Sequence, residues 1–370
     1  MMTTLSLTAT SGLLTGPTLT TTSEFIPSAT QSIPGNMLIP PAQQPGPLPT
    51  TQAEIQKFCE GNPTLTPCSD LPGLYQYRID IVPNVLFLAL YCISLLWFCT
   101  VLARTRRGAF FTLAMVAGLL CEILGYAARI VNWRNQWNVL AFALQFSLIT
   151  LGPTCMAASI YMCLSRIVSA VGIDNSRIPE DYYTKFVGWQ FVPCDLVALI
   201  LQGIGGAVTA TSVIGGRSPD TGNRMLIFGL VLQLLTLAGF IGAALDFSFR
   251  AYRRRKRLGP AAFSHHPAFV RLRSTRRFKG VVVALALATL CIFMRSLFHL
   301  AELSEGITGP IFANQGLFIG FEGVLIVIAV YSLNIMNPMQ SAPELFPSNS
   351  FALWKSEPAP PPVITHKVID

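Results

Sequence analysis

The residues able to do chemistry in this sequence are ionisable groups set inside long apolar stretches. Glu122, Tyr126 and Arg129 follow one another at i, i+4 and i+7, and Arg295, His299 and Glu302 repeat that spacing, so each trio lies on one face of a helix. Asp195 and Gln202 are also seven apart, followed by Gly203, Gly205 and Gly206, while Gln145, Gln233 and Glu322 stand singly in further apolar stretches. At the centre of a membrane each charge costs ~2.5–3.5 kcal/mol on insertion scales, so each needs a partner, a wet cavity or a short path to the interface. Two readings stay open. These eleven residues are the candidate lining of a polar, substrate-binding cavity, or Glu122, Arg129, Arg295 and Glu322 are interhelical ion pairs that only fix packing, with Arg129 or Glu302 snorkelling.

The elements that must position them are membrane spans. Of 370 residues, 52% are hydrophobic and 12% charged, against ~25% charged in a soluble domain. Lipid, not a charged surface, can solvate such a chain. Seven stretches suffice to cross ~30 Å of hydrocarbon at ~1.5 Å per residue: Ile81–Ala103, Ala109–Val131, Val139–Leu164, Phe186–Ala210, Met225–Leu245, Gly280–Ala301 and Gly316–Met336. The expected fold is an all-α bundle of seven transmembrane helices. Basic residues in the loops orient it. With the amino terminus outside and the carboxyl terminus cytosolic, 19 Lys and Arg lie inside and 6 outside. Counted from the outer ends, Arg129, Gln145, Gln233, Arg295, His299, Glu302 and Glu322 fall in the outer half. Glu122 sits near the middle and Asp195 towards the cytosol, a distribution that suits a cavity opening outward. Pro153 and Pro193 lie within the third and fourth spans, where each frees backbone carbonyls and kinks its helix.

The flanking segments predict a three-part organisation. Residues 1–74 read as a disordered extracellular tail, because the first 52 residues hold 25 Ser, Thr or Pro and one charge, Glu24, a composition that cannot bury a core. The tail is either an O-glycosylated stalk or unmodified. Residues 75–340 form the membrane domain, and 341–370 a disordered cytosolic tail. Cys59 and Cys68 precede the first span while the other seven cysteines lie in spans, so this pair is expected to form a structural disulfide. Eleven basic residues and no acid lie between Arg250 and Lys279. Beside a span this run marks topology and attracts anionic inner-leaflet lipid, at ~1 kcal/mol per residue, and nucleic acid is not the expected partner. His265 and His266 have no companion ligand, so no metal site is expected. The sequence has no phosphate-binding lysine motif and no hydrolase or metalloprotease signature, so neither cofactor nor enzymatic activity is expected.

Several segments carry a family likeness. They are Cys121-Glu122-Ile123-Leu124-Gly125-Tyr126-Ala127-Ala128-Arg129, then Leu151-Gly152-Pro153-Thr154, and Asp195 with Leu201-Gln202-Gly203-Ile204-Gly205-Gly206. They continue with Gly229-Leu230-Val231-Leu232-Gln233, Arg295-Ser296-Leu297-Phe298-His299 with Glu302, and Phe321-Glu322 leading to Asn337-Pro338. Together, over roughly residues 75–340, they resemble the fungal RTA-like family, also called lipid-translocating exporters. The resemblance implies a seven-span protein that moves or releases amphiphiles such as sphingoid long-chain bases, or confers tolerance of toxic sterol-like compounds. It departs from the family in having His299 where a second arginine is usual and Gln315 where an acid is common.

Two functions follow as expectations. One is export of an amphiphilic lipid, its amine received by Glu122, Asp195, Glu302 and Glu322. The other is a seven-span, receptor-like sensor that acts on lipid asymmetry or stress response indirectly. The plasma membrane is the expected site, with endoplasmic reticulum or vacuole as alternatives.

Overall fold

The computed structural model describes residues 52–63, 68, 75, 77–171, 180–215, 217–218, 220–258, 267–306 and 309–346. The Ser/Thr/Pro-rich stretch before residue 52, His265–His266 and the end of the carboxyl tail lie outside them. Seven helices are long and apolar enough to cross a membrane, and they are the seven expected: Ile81–Thr105, Ala109–Arg134, Val139–Val171, Glu180–Ile214, Asp220–Leu258 and Arg276–Glu305 are spans 1 to 6. Span 7 is composite, with α-helical Gln315–Leu317, a π-helical turn at Phe318–Val324 and α-helical Leu325–Ile335. Among the described residues there is no strand.

Sequence periodicity decides which faces are buried. In span 1, Phe87, Tyr91, Ser94, Phe98 and Val101 recur at intervals of three or four and are buried, while Ile93, Leu96 and Trp97 face outwards. Exposed large apolar side chains recur on every span, which suits a lipid surround. Each span packs on the next, span 7 returns to span 1, and span 3 also touches spans 5 and 6. Span 3 is therefore the central post of the ring. Small residues let it approach closely: a Cβ added to Gly125 of span 2 would lie 2.6 Å from the Ile149 side chain.

The two ends of the bundle differ. At the basic end, span 1 stops at Arg106 and Gly108, both at positive φ. A Cβ on Gly108 would run into the Met339 sulfur. Here the chain continues folded beyond residue 340, where a disordered tail was expected. Asn337 caps the short helix Pro338–Ser341 by accepting from Met339 N at 3.0 Å. Met339, Ala342, Leu345 and Phe346 are buried, and Arg107 donates to Pro343 O at 3.1 Å. The apolar side chains of 345 and 346 explain the later boundary, since burying them favours order.

At the other end, a helix at Gln52–Gly61 lies within the tail expected to be disordered through residue 74. Cys59 and Cys68 are joined by a disulfide with a Cα–Cα distance of 5.3 Å. Asn135 Nδ2 donates to Glu60 O at 3.0 Å and Trp137 Nε1 to Cys68 O at 3.2 Å, so the loop between spans 2 and 3 holds this segment down. With its amide turned to satisfy both groups, Gln315 bonds Arg78 O at 3.2 Å and Asp80 N at 2.9 Å, tying the start of span 7 to the same segment.

Candidate functional site

The ionisable residues of spans 2, 6 and 7 converge near the disulfide end, and Pro153 inside span 3 supplies one of their partners. Pro153 has no N–H to give to the carbonyl four residues earlier. That carbonyl, Ile149 O, instead accepts from Arg295 Nη2 at 2.8 Å. The same Nη2 donates to Glu322 Oε2 at 2.5 Å, and both side chains are buried. Glu322 stands on the π-helical turn of span 7, a local rearrangement frequent at functional positions.

His299 lies at the centre of the cluster. Its Nδ1 is 3.2 Å from Glu302 Oε2 and 3.1 Å from Glu322 Oε1, and its Nε2 is 2.9 Å from Thr150 Oγ1. Phe146 packs beside the imidazole with ring centroids 5.1 Å apart. Arg129 is held by aromatic rings. Its guanidinium sits 3.8 Å from the Phe318 centroid and 5.3 Å from that of Tyr75, and Nη2 donates to Tyr77 Oη at 2.7 Å. Such cation–π contacts are worth ~2 kcal/mol when desolvated. Tyr75 Oη lies 2.5 Å from both Gln145 Oε1 and the Asn132 amide. Burial raises the Tyr75 hydroxyl above the usual tyrosine range, so it remains a neutral donor at physiological pH.

These groups border two spaces. A small cavity of about 20 Å³, room for about one water, is lined by Tyr75, Tyr77, Arg129, Phe142, Gln145, Phe146, Ile149, His299, Glu302, Phe312, Phe318 and Glu322. A second, of about 140 Å³, is bordered by Phe146, Ser147, Thr150, Leu151, Leu199, Gln202, Gly203, Leu226, Leu230, His299 and Leu303, and is predominantly apolar. His299 and Phe146 are common to both. Behind the second space runs a polar chain across spans 4, 5 and 3. Gln202 Nε2 donates to Gln233 Oε1 at 2.8 Å, and Gln233 Nε2 to Thr154 Oγ1 at 2.6 Å.

The remaining sequence candidates lie elsewhere. Glu122 is fully buried, lines neither cavity, and neither carboxyl oxygen has a hydrogen-bond partner. It abuts span 3 at a glycine, where a Cβ on Gly152 would lie 2.7 Å from Glu122 Oε1. Tyr126 packs between Phe87 and Tyr91 at 5.4 and 5.6 Å. Asp195 borders neither cavity. It is buried near the Tyr161 hydroxyl, without a completed hydrogen bond. Sequence reasoning missed Tyr75, Tyr77, Thr150, Thr154, Phe146 and Phe318. The alternation of Tyr75 and Tyr77 just before span 1 was the one available signal, since such tyrosines favour membrane interfaces.

Fold and site define a multi-pass membrane protein with a ring of seven helices and a buried charged cluster opening beside an apolar crevice. The family model described as "RTA1 like protein" matches residues 115–344, and the chain belongs to that family. It is 28% identical over 251 residues to the sphingoid long-chain base transporter RSB1 of Saccharomyces cerevisiae, a match covering 63% of this chain and 65% of the relative. Protein RTM1 of the same yeast is 28% identical over 57% of this chain and 62% of its own length. Protein RTA1 is 23% identical over 71% of this chain and 86% of its own. The chain thus spans just under two thirds of the transporter it resembles. No solved structure matches it.

Proposed function

We propose that the chain moves single-chain cationic amphiphiles, of the sphingoid base type, across or out of the bilayer. The observation that carries this reading is that His299 and Phe146 line both a charged cavity and an apolar crevice. An amphiphile needs that combination, with a polar path for its head and apolar surroundings for its tail. Formal charge favours an amine. Glu302 and Glu322 line the first cavity with the single guanidinium of Arg129, and an alkylammonium adds a second positive charge there. The name of the yeast relative RSB1 agrees with this substrate class.

The reading places the disulfide end outside and the basic end in the cytosol, in the plasma membrane, where the activity gives tolerance of toxic amphiphiles. Exposed Arg253, Arg255, Lys256 and Arg257 extend span 5 beyond its apolar part and rest on anionic inner-leaflet lipid. Transport here is non-enzymatic and follows a gradient or simple equilibration.

Proteoliposomes loaded with a fluorescent long-chain base test the proposal. The purified chain speeds movement of the primary amine and leaves its N-acetylated, uncharged analogue near the rate of protein-free vesicles. Glu302→Gln slows the amine by ~10-fold or more, the loss of about 1.4 kcal/mol of head-group interaction. Equal rates with and without protein, in cells whose tolerance still depends on the chain, would overturn transport in favour of a sensor.

A further inference from the structure

We propose that Gln202 accepts a hydrogen bond from a hydroxyl on the amphiphile, so that hydroxylated long-chain amines are preferred over plain alkylamines. This rests on the lipid-transport reading and narrows its substrate class. The polarity of one buried chain of hydrogen bonds decides which atom is left over. Thr154 has one hydroxyl hydrogen, which it donates to Thr150 O at 3.4 Å. Its Oγ1 therefore accepts from Gln233 Nε2 at 2.6 Å. That turns Gln233 Oε1 towards Gln202, where it accepts from Nε2 at 2.8 Å. Gln202 is thereby fixed with its amide nitrogen in the chain and its oxygen outside it. Among the described residues Gln202 Oε1 has no hydrogen-bond partner, although Gln202 is only 6% exposed.

A buried acceptor without a partner costs its desolvation, and this one belongs to a residue that borders the apolar crevice with Leu199, Leu226, Leu230 and Leu303. There is room beside it. Gly203 borders the same crevice, and a Cβ placed there would meet nothing within 4 Å. Span 5 holds the glutamine in place, since a Cβ on Gly229 would lie 2.8 Å from Gln202 Cγ. The missing donor is neutral, because a charged one costs far more than a hydroxyl to bury among leucines. The ammonium therefore stays with Glu302 in the first cavity. A hydroxyl on the carbons next to the amine enters the crevice with the tail and donates to Oε1. A plain alkyl chain leaves that oxygen unpaired and forfeits the bond.

Affinity in detergent tests this without depending on movement across a bilayer. Octadecylamine and an aminodiol of the same chain length, its hydroxyls on the carbons flanking the amine, compete with a fluorescent long-chain base for the purified full chain. The parent binds the aminodiol ~10-fold more tightly, and Gln202→Leu brings the ratio of the two affinities near one. Should that variant fail to fold, Gln202→Leu combined with Gln233→Leu strands neither amide and gives the same ratio. Equal affinities in the parent, or a preference that survives in the folded variant, overturn the role of Gln202 and leave the lipid reading standing. Binding of neither amine overturns both.

Discussion

The two ends of the bundle use opposite means of closing a ring of helices. At the basic end, Met339, Leu345 and Phe346 fill the space with apolar atoms, alongside Val168, Leu272 and Phe278. At the disulfide end the same helices carry Arg129, Arg295, Glu302 and Glu322, and two spaces stay open between them. Apolar side chains pack without regard to direction, so a short carboxyl-terminal segment suffices to close an end. Buried charges demand partners at fixed angles, so the helices that carry them cannot simply collapse. Sealing and solvating are thus divided between the ends, which is the arrangement expected of a protein open to one side at a time.

Breaking the polar end should cost most. Arg295→Gln leaves Glu322 without its ion pair and Ile149 O without a strong donor, and should destabilise the protein by ~3–5 kcal/mol in thermal unfolding. The double change Arg295→Met with Glu322→Met should recover most of that loss, because neither charge is then stranded. The sealed end should lose less. Phe346→Ala opens a void under Gly108 and should cost ~3 kcal/mol, with faster hydrogen exchange confined to residues 100–110 and 337–346. The smallest effect sharpens the comparison at Tyr77, on the wall of the first cavity. Tyr77→Phe removes one hydrogen bond to Arg129 but keeps the ring, and should cost ~1 kcal/mol. Its thermal unfolding should nearly match the parent, while access of a water-soluble thiol reagent to a cysteine placed at Phe312 increases.

Much of this was legible in the sequence, for reasons that differ by residue. The seven spans followed from apolar length alone, and the charges within them stood out because a membrane makes each one costly. Spacing placed Glu122, Tyr126 and Arg129 on one face, and all three are buried in span 2. The pairing of Arg295 with Glu322 was not legible, since it depends on how span 6 meets span 7 and on a π-helical turn with no sequence mark. Thr150, Thr154 and the aromatic residues around Arg129 were silent because hydroxyls and rings carry little insertion cost. Asp195 shows where helical spacing misleads. It shares a face with Gln202, but seven residues is two turns, about 10 Å along the axis, and only Gln202 reaches the crevice.

The account's central claim is that a cationic head lies against Glu302 at the cavity wall while its tail enters the crevice. A long-chain primary amine carrying a photoreactive group near its tail end tests that most directly, with the labelled residues mapped by mass spectrometry. The account predicts adducts on Phe146, Leu199, Leu230 or Leu303, reduced in Glu302→Gln. Adducts confined to the lipid-facing Ile93, Leu96 and Trp97, unchanged by that substitution, would contradict it.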